Sequence, residues 1–331
     1  MVISMIIAKG LTKLYGDFIA VDHANFTIKE GEIFGIHGPN GAGKTTTIRM
    51  LSAIFPPTEG TASVANYDVV EDDMAVRSRV GILSENPSLY ERLTAKANLE
   101  FFARLYDVPE DQIATRIEFL GEVFDLKSRL DERVGTYSKG MKQKLAIAKA
   151  LIHDPPVLFL DEPTSALSPE AAKAIRDLLV DLAKDRSRTI CICTHNLYDA
   201  ERLCDRVAIM RKGRILTIGT PSEISQAYSG PPTVRVHLKN LTSTITDTLK
   251  TITGVLSVEI DTISNNLMIK IENHDDITPK IVKKIVEENG EILEIEPIHA
   301  SLEEAYLKLI EEDNLNGTKI EEDISTIEER A

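Results

Sequence analysis

The sequence predicts an α/β domain built on a parallel sheet, followed by a small α+β domain of ferredoxin-like order. Three observations lead to it. Val157-Leu158-Phe159-Leu160 and Thr189–Cys193 are continuous apolar runs of the kind buried on both faces of a parallel sheet, and a helical stretch, Pro169–Ala183, lies between them as the crossover. A strand at Glu32–His37 leads directly into a glycine-rich loop and then a helical pattern through Thr46, Ile48, Met50 and Leu51. Beyond the turn formers Ser229-Gly230-Pro231-Pro232, the elements read βαββαβ. A chain of 331 residues suits two domains at about 150 residues each.

In chain order, short strands are read near Ile6–Lys9 and Phe26–Lys29, with a Lys29-Glu30-Gly31 turn before the strand that ends at His37. A helical insert is expected at about 87–137: Leu99, Phe102 and Tyr106 share one face, and Ile113, Ile117, Leu120 and Phe124 another. Met141, Leu145, Ala148 and Ile152 continue a helical stripe into the first apolar run. Arg206–Met210 and Ile215–Ile218, joined by Lys212-Gly213, read as a hairpin. The first domain therefore spans 1–225, with a linker at 226–232. The second, 233–313, reads strand Thr233–Leu238, helix Ser243–Ile252, strands Val255–Ile260 and Asn266–Ile271, helix Thr278–Asn289 and strand Glu291–Glu296. One more helix carries Leu302, Ala305, Tyr306 and Leu309, and the acidic residues 314–331 are expected as a flexible tail.

With 43% apolar residues the chain can build a full core, which excludes wholesale disorder. Its 38 basic against 52 acidic residues, a net charge of −14, argue against a protein that coats nucleic acid. The acidity is concentrated: residues 1–220 hold 28 basic and 30 acidic groups, residues 221–331 hold 10 and 22. Cys191, Cys193 and Cys204 are an odd number, which suits a reducing compartment; no histidine stands at ligand spacing, so core packing is favoured over metal binding. The N-terminal apolar run is too brief for a signal peptide, and no run approaches the roughly 18 apolar residues a span requires. The expected location is cytoplasmic.

The chemistry concentrates in two motifs. Gly38-Pro39-Asn40-Gly41-Ala42-Gly43-Lys44-Thr45 fits G-x-x-x-x-G-K-S/T between a strand and a helix, the context that pattern requires. Glycines let successive backbone N–H groups point inward, and the helix start, with Thr46, adds positive dipole. Lys44 meets the β and γ phosphates, and Thr45 offers a hydroxyl to Mg²⁺. At the end of the first apolar run stand Asp161 and Glu162. Asp161 is read as holding the Mg²⁺ region from its second shell, and Glu162 as facing the attacking water. His37, just before the loop, is read as a strand-end residue.

Upstream of Asp161-Glu162, Tyr137-Ser138-Lys139-Gly140-Met141 precedes a helix and resembles the signature loop of the ATP-binding-cassette (ABC) ATPases. The likeness spans nearly all of residues 1–220. That loop mostly reads Leu-Ser-Gly-Gly-Gln, so Ser138 and Gly140 are retained while Lys139 and Met141 depart. The form is similar to the exporter branch that includes the daunorubicin-resistance type, which also carries a small C-terminal domain. The resemblance implies a P-loop ABC ATPase domain, a mixed sheet with an antiparallel β-subdomain and a helical insert. It implies that Tyr15 stacks on adenine, that His195 contacts the γ-phosphate, and that Glu85, where most relatives have glutamine, reaches Mg²⁺ or its water. In Ser165-Ala166-Leu167-Ser168 the family usually ends on an aspartate at the dimer seam. Ser168 before Pro169 still makes a sound helix cap, so the change touches communication between sites rather than the helix.

It further implies a homodimer with two ATP molecules, each held between the glycine loop of one copy and the Ser138 loop of the other. A separate membrane permease is the expected second partner, docked between the helical insert and the Glu85 region, for export of a drug, lipid or other small molecule. The chain would then be peripheral on the inner face of the cell membrane. A soluble ABC ATPase acting on nucleic acid or ribosomes is the alternative. A single ATPase unit and the acidic C-terminal third disfavour it, as does the lack of an aromatic and basic stacking surface. The cluster Lys139, Lys142, Lys144 and Lys149 is read as charge balance near bound phosphates. Whether the C-terminal domain senses a small molecule or stabilises the dimer stays open.

Overall fold

The computed structural model describes residues 4–85, 88–186, 188–228, 231–261, 265–298 and 301–328. The chain divides into two compact units, Met1–Pro221 and Ser222–Ala331.

The first unit begins with the long hairpin β1 (Ser4–Tyr15) and β2 (Phe18–Lys29), then β3 (Ile33–His37) and α1 (Lys44–Leu51). β4 (Glu59–Val64), β5 (Tyr67–Asp68), α2 (Asp73–Arg77) and β6 (Val80–Leu83) lead to the helical insert, α3 (Ala95–Leu105) and α4 (Glu110–Val123). α5 (Lys139–Ala150), β7 (Val157–Asp161), α6 (Pro169–Arg186), β8 (Thr189–Thr194), α7 (Leu197–Leu203), β9 (Arg206–Arg211) and β10 (Arg214–Gly219) complete it. β1 and β2 run well past the segments expected from sequence. Gly10 sits at φ 57° and the pairing shifts register between Ala8 and Leu11 and again before Lys13, which breaks the two-residue alternation that marks a strand.

Two sheets result. An antiparallel one has the order β2-β1-β4-β5; the second, β10-β9-β3-β8-β7-β6, is parallel except for β10. β7 lies between β8 and β6, and its Leu158, Phe159 and Leu160 are wholly buried; truncating such a phenylalanine costs about 3–5 kcal/mol. Since β3, β6, β7 and β8 run parallel, their C-terminal ends at His37, Leu83, Asp161 and Thr194 open onto one edge of the sheet.

The insert is anchored by polar side chains. Fully buried Asn98 accepts the Tyr90 N–H (2.8 Å) and donates to the Tyr90 (3.0 Å) and Thr94 (2.9 Å) carbonyls. Arg116 on α4 donates to the Ile152 carbonyl at 3.0 Å, and the Tyr106 ring stacks on His153 at 4.0 Å. Three of the four lysines of the cluster have partners on or beside these elements. Lys142 pairs with Glu91 at 2.5 Å, Lys144 lies 4.0 Å from Asp125, and the Lys149 ammonium lies 4.8 Å from the Phe102 ring centre.

Two histidines bear on acid stability. Burial holds both His37 and His153 down to about 4 from the ordinary 6.5; for His37 the positive charges of Lys44 and His195 add to it. The native state thus binds fewer protons than the unfolded chain between those values. Their contribution is full above pH 6.5 and lost as pH falls toward 4, about 3 kcal/mol for each. Thermal unfolding followed from pH 7 to pH 4 is expected to show this loss, and His153→Gln to remove close to half of it; an identical pH profile in the variant would contradict the assignment.

In the second unit, α8 (Pro221–Tyr228) is followed by β11 (Thr233–Leu238), α9 (Ser243–Leu249), β12 (Val255–Asp261), β13 (Asn266–Ile271), α10 (His274–Glu287), β14 (Ile292–Ile298) and α11 (Leu302–Glu328). The antiparallel order β12-β13-β11-β14 is that of the split βαββαβ fold. Alternate residues of β11 and β13, Val234, Val236, Leu238, Leu267, Ile269 and Ile271, bury one face against Ile245, Leu249, Ile277, Ile281 and Ile285. Two expectations need correction. Residues 226–228 are the end of helix α8 rather than linker, and the division between units falls at Pro221 rather than after 225; Ser229 and Gly230 lie outside the described residues. α11 continues as helix to Glu328 where a tail was expected from 314.

Candidate functional site

At the shared strand edge lies a cleft of about 510 Å³, lined by Tyr15, the loop from Asn40 to Thr46, Glu85, Asp161, Glu162 and His195. The loop after β3, Glu85, Asp161, Glu162 and His195 meet because their strands are parallel neighbours, and Tyr15 joins them from the antiparallel sheet.

The loop's shape depends on its glycines. A Cβ on Gly38 would stand 2.1 Å from the Met210 carbonyl oxygen, and one on Gly43, at φ 107°, 2.4 Å from that of Ala20. Gly43 is also the N-cap of α1 and supplies no side-chain acceptor, whereas Thr94, Ser138 and Asn196 cap α3, α5 and α7. The first turn of α1 holds no acidic residue, so its N–H groups and dipole are available to an anion. The Lys44 ammonium, 6% exposed, donates to the carbonyls of Gly38 (2.7 Å) and Pro39 (3.1 Å).

The Thr45 hydroxyl donates to Asp161 Oδ2 at 2.8 Å, joining loop to β7. Burial holds the Asp161 carboxyl above the usual carboxylate range and the charges of Glu162 and Glu85 push the same way, opposed by the Thr45 bond and Lys44. These donors are all hard oxygens. Among the described residues no group of three or more His, Cys, Asp or Glu could hold an ion by itself. One or two carboxylates and a hydroxyl are the sparse donor set that suits Mg²⁺, which draws most of its shell from phosphate and water.

Glu162 has φ 52°, an uncommon value for a residue that precedes proline, and three bonds hold it there. Its N–H donates to the Cys193 carbonyl (2.9 Å), and its Oε1 accepts the His195 N–H (2.9 Å) and lies 2.7 Å from His195 Nδ1. This pairing puts a proton on Nδ1 and leaves Nε2 outside the contact. His37 is the buried last residue of β3, as its position in the sequence indicates. Cys191, Cys193 and Cys204 are free and buried, and burial pushes their thiols up, so they pack rather than react.

Ser138 and Gly140 do not line this cleft. Ser138 is exposed and caps α5 by accepting the Met141 N–H at 3.2 Å, which leaves its own O–H to donate. Ser168 accepts the Ala171 N–H at 3.3 Å and so caps α6. Three contributors escaped the sequence reading. Phe18 and Ser165 line the cleft, and Gln143 donates to the Pro163 carbonyl at 2.8 Å, tying the helix after Ser138 to the Glu162 loop. Phe18 had a readable signal: it and Tyr15 flank the two-residue turn Gly16-Asp17 and stand directly opposite each other in the hairpin.

A glycine loop between a central parallel strand and a helix, with a threonine bonded to a strand-end aspartate, defines a P-loop nucleoside triphosphatase. The family description "ABC transporter" matches residues 21–165. The chain is 32% identical over 302 residues to an uncharacterized ABC transporter ATP-binding protein, YhcH, of Bacillus subtilis (strain 168), covering 91% of this chain and 94% of that one. It is 43% identical over 210 residues to a fluoroquinolones export ATP-binding protein of Mycobacterium tuberculosis (strain CDC 1551 / Oshkosh), 63% of this chain and 68% of that one. A solved dimeric ATP-binding cassette in a post-hydrolysis state, bound to ADP and Pi, matches with a TM-score of 0.60 at 28% identity, over 65% of this chain and 98% of that one. The chain belongs to the ABC transporter ATP-binding protein family and is an ABC ATPase.

Proposed function

We propose that this chain is the ATP-hydrolysing subunit of an export system, that it works as a pair of copies closed around two ATP molecules, and that it powers a separate membrane permease. The observation that carries the reading is the convergence of Lys44, Thr45, Asp161, Glu162 and His195 on one cleft that Ser138 of the same chain does not enter. A signature loop with no ligand at home fits a second copy's cleft, and the solved relative is itself dimeric. Exposed Tyr90 and Phe101, 5.2 Å apart on the insert side of Glu85, offer the permease an apolar foothold. Among the described residues no helix is long and apolar enough to cross a membrane, so the permease would be another polypeptide and this chain would sit on the membrane's cytoplasmic face. Export follows the printed function of the mycobacterial relative.

In the cleft, the Lys44 ammonium and the α1 N–H groups hold the β and γ phosphates, and Thr45, Asp161 and Glu85 hold Mg²⁺, which when bound offsets charge on those phosphates. Glu162 orients water for in-line attack and accepts its proton, while His195 contacts the γ-phosphate. Tyr15, 48% exposed and edge-on to Phe55 at 6.2 Å, supports the base together with Phe18. Losing one aromatic platform removes about 1–3 kcal/mol of stacking. Tyr15→Ala is therefore expected to weaken ATP binding about tenfold, with Tyr15→Phe near wild type; equal affinity in all three would move the base elsewhere.

The reading is tested by isolating the full chain with Glu162→Gln from membranes in Mg-ATP. A polytopic membrane protein in the complex, absent when ATP is withheld, is the expected result. A chain that stays monomeric at saturating Mg-ATP, with or without membranes, would overturn it.

A further inference from the structure

Behind the cleft, the loop that follows Glu162 and the helix that follows His195 are joined by one buried carboxylate. Asp199 on α7 is 1% exposed. Its Oδ2 accepts the Thr164 hydroxyl, and its Oδ1 accepts the Arg176 guanidinium of α6 at 2.8 Å. Thr164, 8% exposed, is separated from Glu162 by Pro163 alone. Asp199 is separated from His195 by the first turn of α7, which is stiffened where Asn196 accepts the Tyr198 N–H at 3.0 Å. At the far side Glu162 Oε1 meets the His195 N–H and ring directly, at 2.9 and 2.7 Å. The contacts close a ring: Glu162 to Thr164 by covalent bonds, Thr164 to Asp199 by its hydroxyl, Asp199 to His195 through α7, and His195 back to Glu162.

Burying a carboxylate costs more than burying an apolar side chain of its size, so packing does not account for Asp199. A function in orientation does. The ring borders a groove of about 480 Å³ that runs past Ser165 and Leu167 to Arg176 and Tyr198, and Arg176 anchors it to α6.

We infer that Asp199 is a positioning residue for hydrolysis: it locks the Glu162 loop and the His195 helix to each other and to α6, so that the two groups move as one body. This rests on the roles proposed above for Glu162 and His195. Lys44 and the N–H groups of α1, which make the main hold on the phosphates, are not part of the ring, so loosening it misplaces the attacking water and shifts the single His195 contact while that main hold stays in place.

The test uses the full chain carrying Thr164→Val, Thr164→Ser or Asp199→Asn, with trinitrophenyl-ATP affinity, kcat and melting temperature measured for each. Thr164→Val leaves the Asp199–Arg176 pair in place and so keeps the test decisive if Asp199→Asn folds poorly. Thr164→Val and Asp199→Asn are expected to lower kcat about 10- to 100-fold, the scale of a misplacement near 1 Å, with affinity within about twofold. Thr164→Ser is expected to restore kcat, and the double variant Thr164→Val with Asp199→Asn to be no slower than the worse single one. Wild-type kcat in Thr164→Val, or a loss that follows melting temperature and is not restored by serine, would overturn the inference. If the wild-type chain hydrolyses ATP and Glu162→Gln does not, such a result removes only Asp199's role; absent wild-type hydrolysis would instead remove the function proposed above, and this inference with it.

Discussion

Replacing Glu162 with glutamine is expected to lower ATP hydrolysis by about 10²- to 10⁴-fold, the range a positioned general base contributes. Affinity for ATP should stay close to wild type. Glutamine is nearly isosteric, and its carbonyl oxygen can still accept the His195 N–H that Glu162 Oε1 accepts at 2.9 Å, so the strained backbone at φ 52° keeps its support. What disappears is an oxygen able to take a proton from water. Because the γ-phosphate then persists, contacts made to it by two copies persist as well, and the closed pair accumulates. Phosphate release and sedimentation in Mg-ATP read the two effects separately. Full turnover in the variant would take Glu162 out of the reaction.

Lys44→Met is expected to have the opposite profile, losing binding first. Two charge-assisted bonds to phosphate, at about 1.5–3 kcal/mol each, place the loss of Mg-ATP affinity at about 10²-fold or more. The nucleotide-free chain should not suffer. The Lys44 ammonium is 6% exposed, its two bonded partners are the neutral carbonyls of Gly38 and Pro39, and no ion pair joins it to a carboxylate among the described residues. A buried cation whose hydrogen bonds go only to carbonyl dipoles, with the Asp161 charge acting on it without an ion pair, costs desolvation, and methionine fills nearly the same volume without a charge. Thermal melting without nucleotide should therefore show the variant at or above the wild-type temperature, while calorimetric titration with Mg-ATP shows the loss. A variant that melts lower and binds normally would contradict both halves of the argument.

The legibility of the fold varied with how local its cause was. β11 and β13 begin and end where alternation said they would, because one face of each is buried and the other is not. β7 was readable for a different reason: burial on both faces leaves an unbroken apolar run. β1 and β2 were read as fragments because Gly10 and the register shifts interrupt the pattern, although the pairing itself is continuous enough to make strands of 12 residues. α7 and α8 are too short, at 7 and 8 residues, for periodicity to announce them; α7 is marked chiefly by its Asn196 cap. Where an acidic, polar composition argued for a tail, α11 continues as helix, since composition reports solubility and not backbone order.

Read as a string, the chain already specified its chemistry. The glycine spacing before Lys44 and Thr45, the carboxylates closing an apolar run and the Ser138 loop are each confined to a few consecutive residues, and the steric and dipolar demands behind them are equally short in range. Their meeting place was decided in three dimensions. Which strands lie side by side is settled by burial summed over residues far apart in sequence. The order β9-β3-β8-β7-β6 is what brings Glu85, Lys44, Glu162 and His195 to one edge. The same distant packing made Asp199, an ordinary helix residue on paper, the buried partner of Thr164 and Arg176.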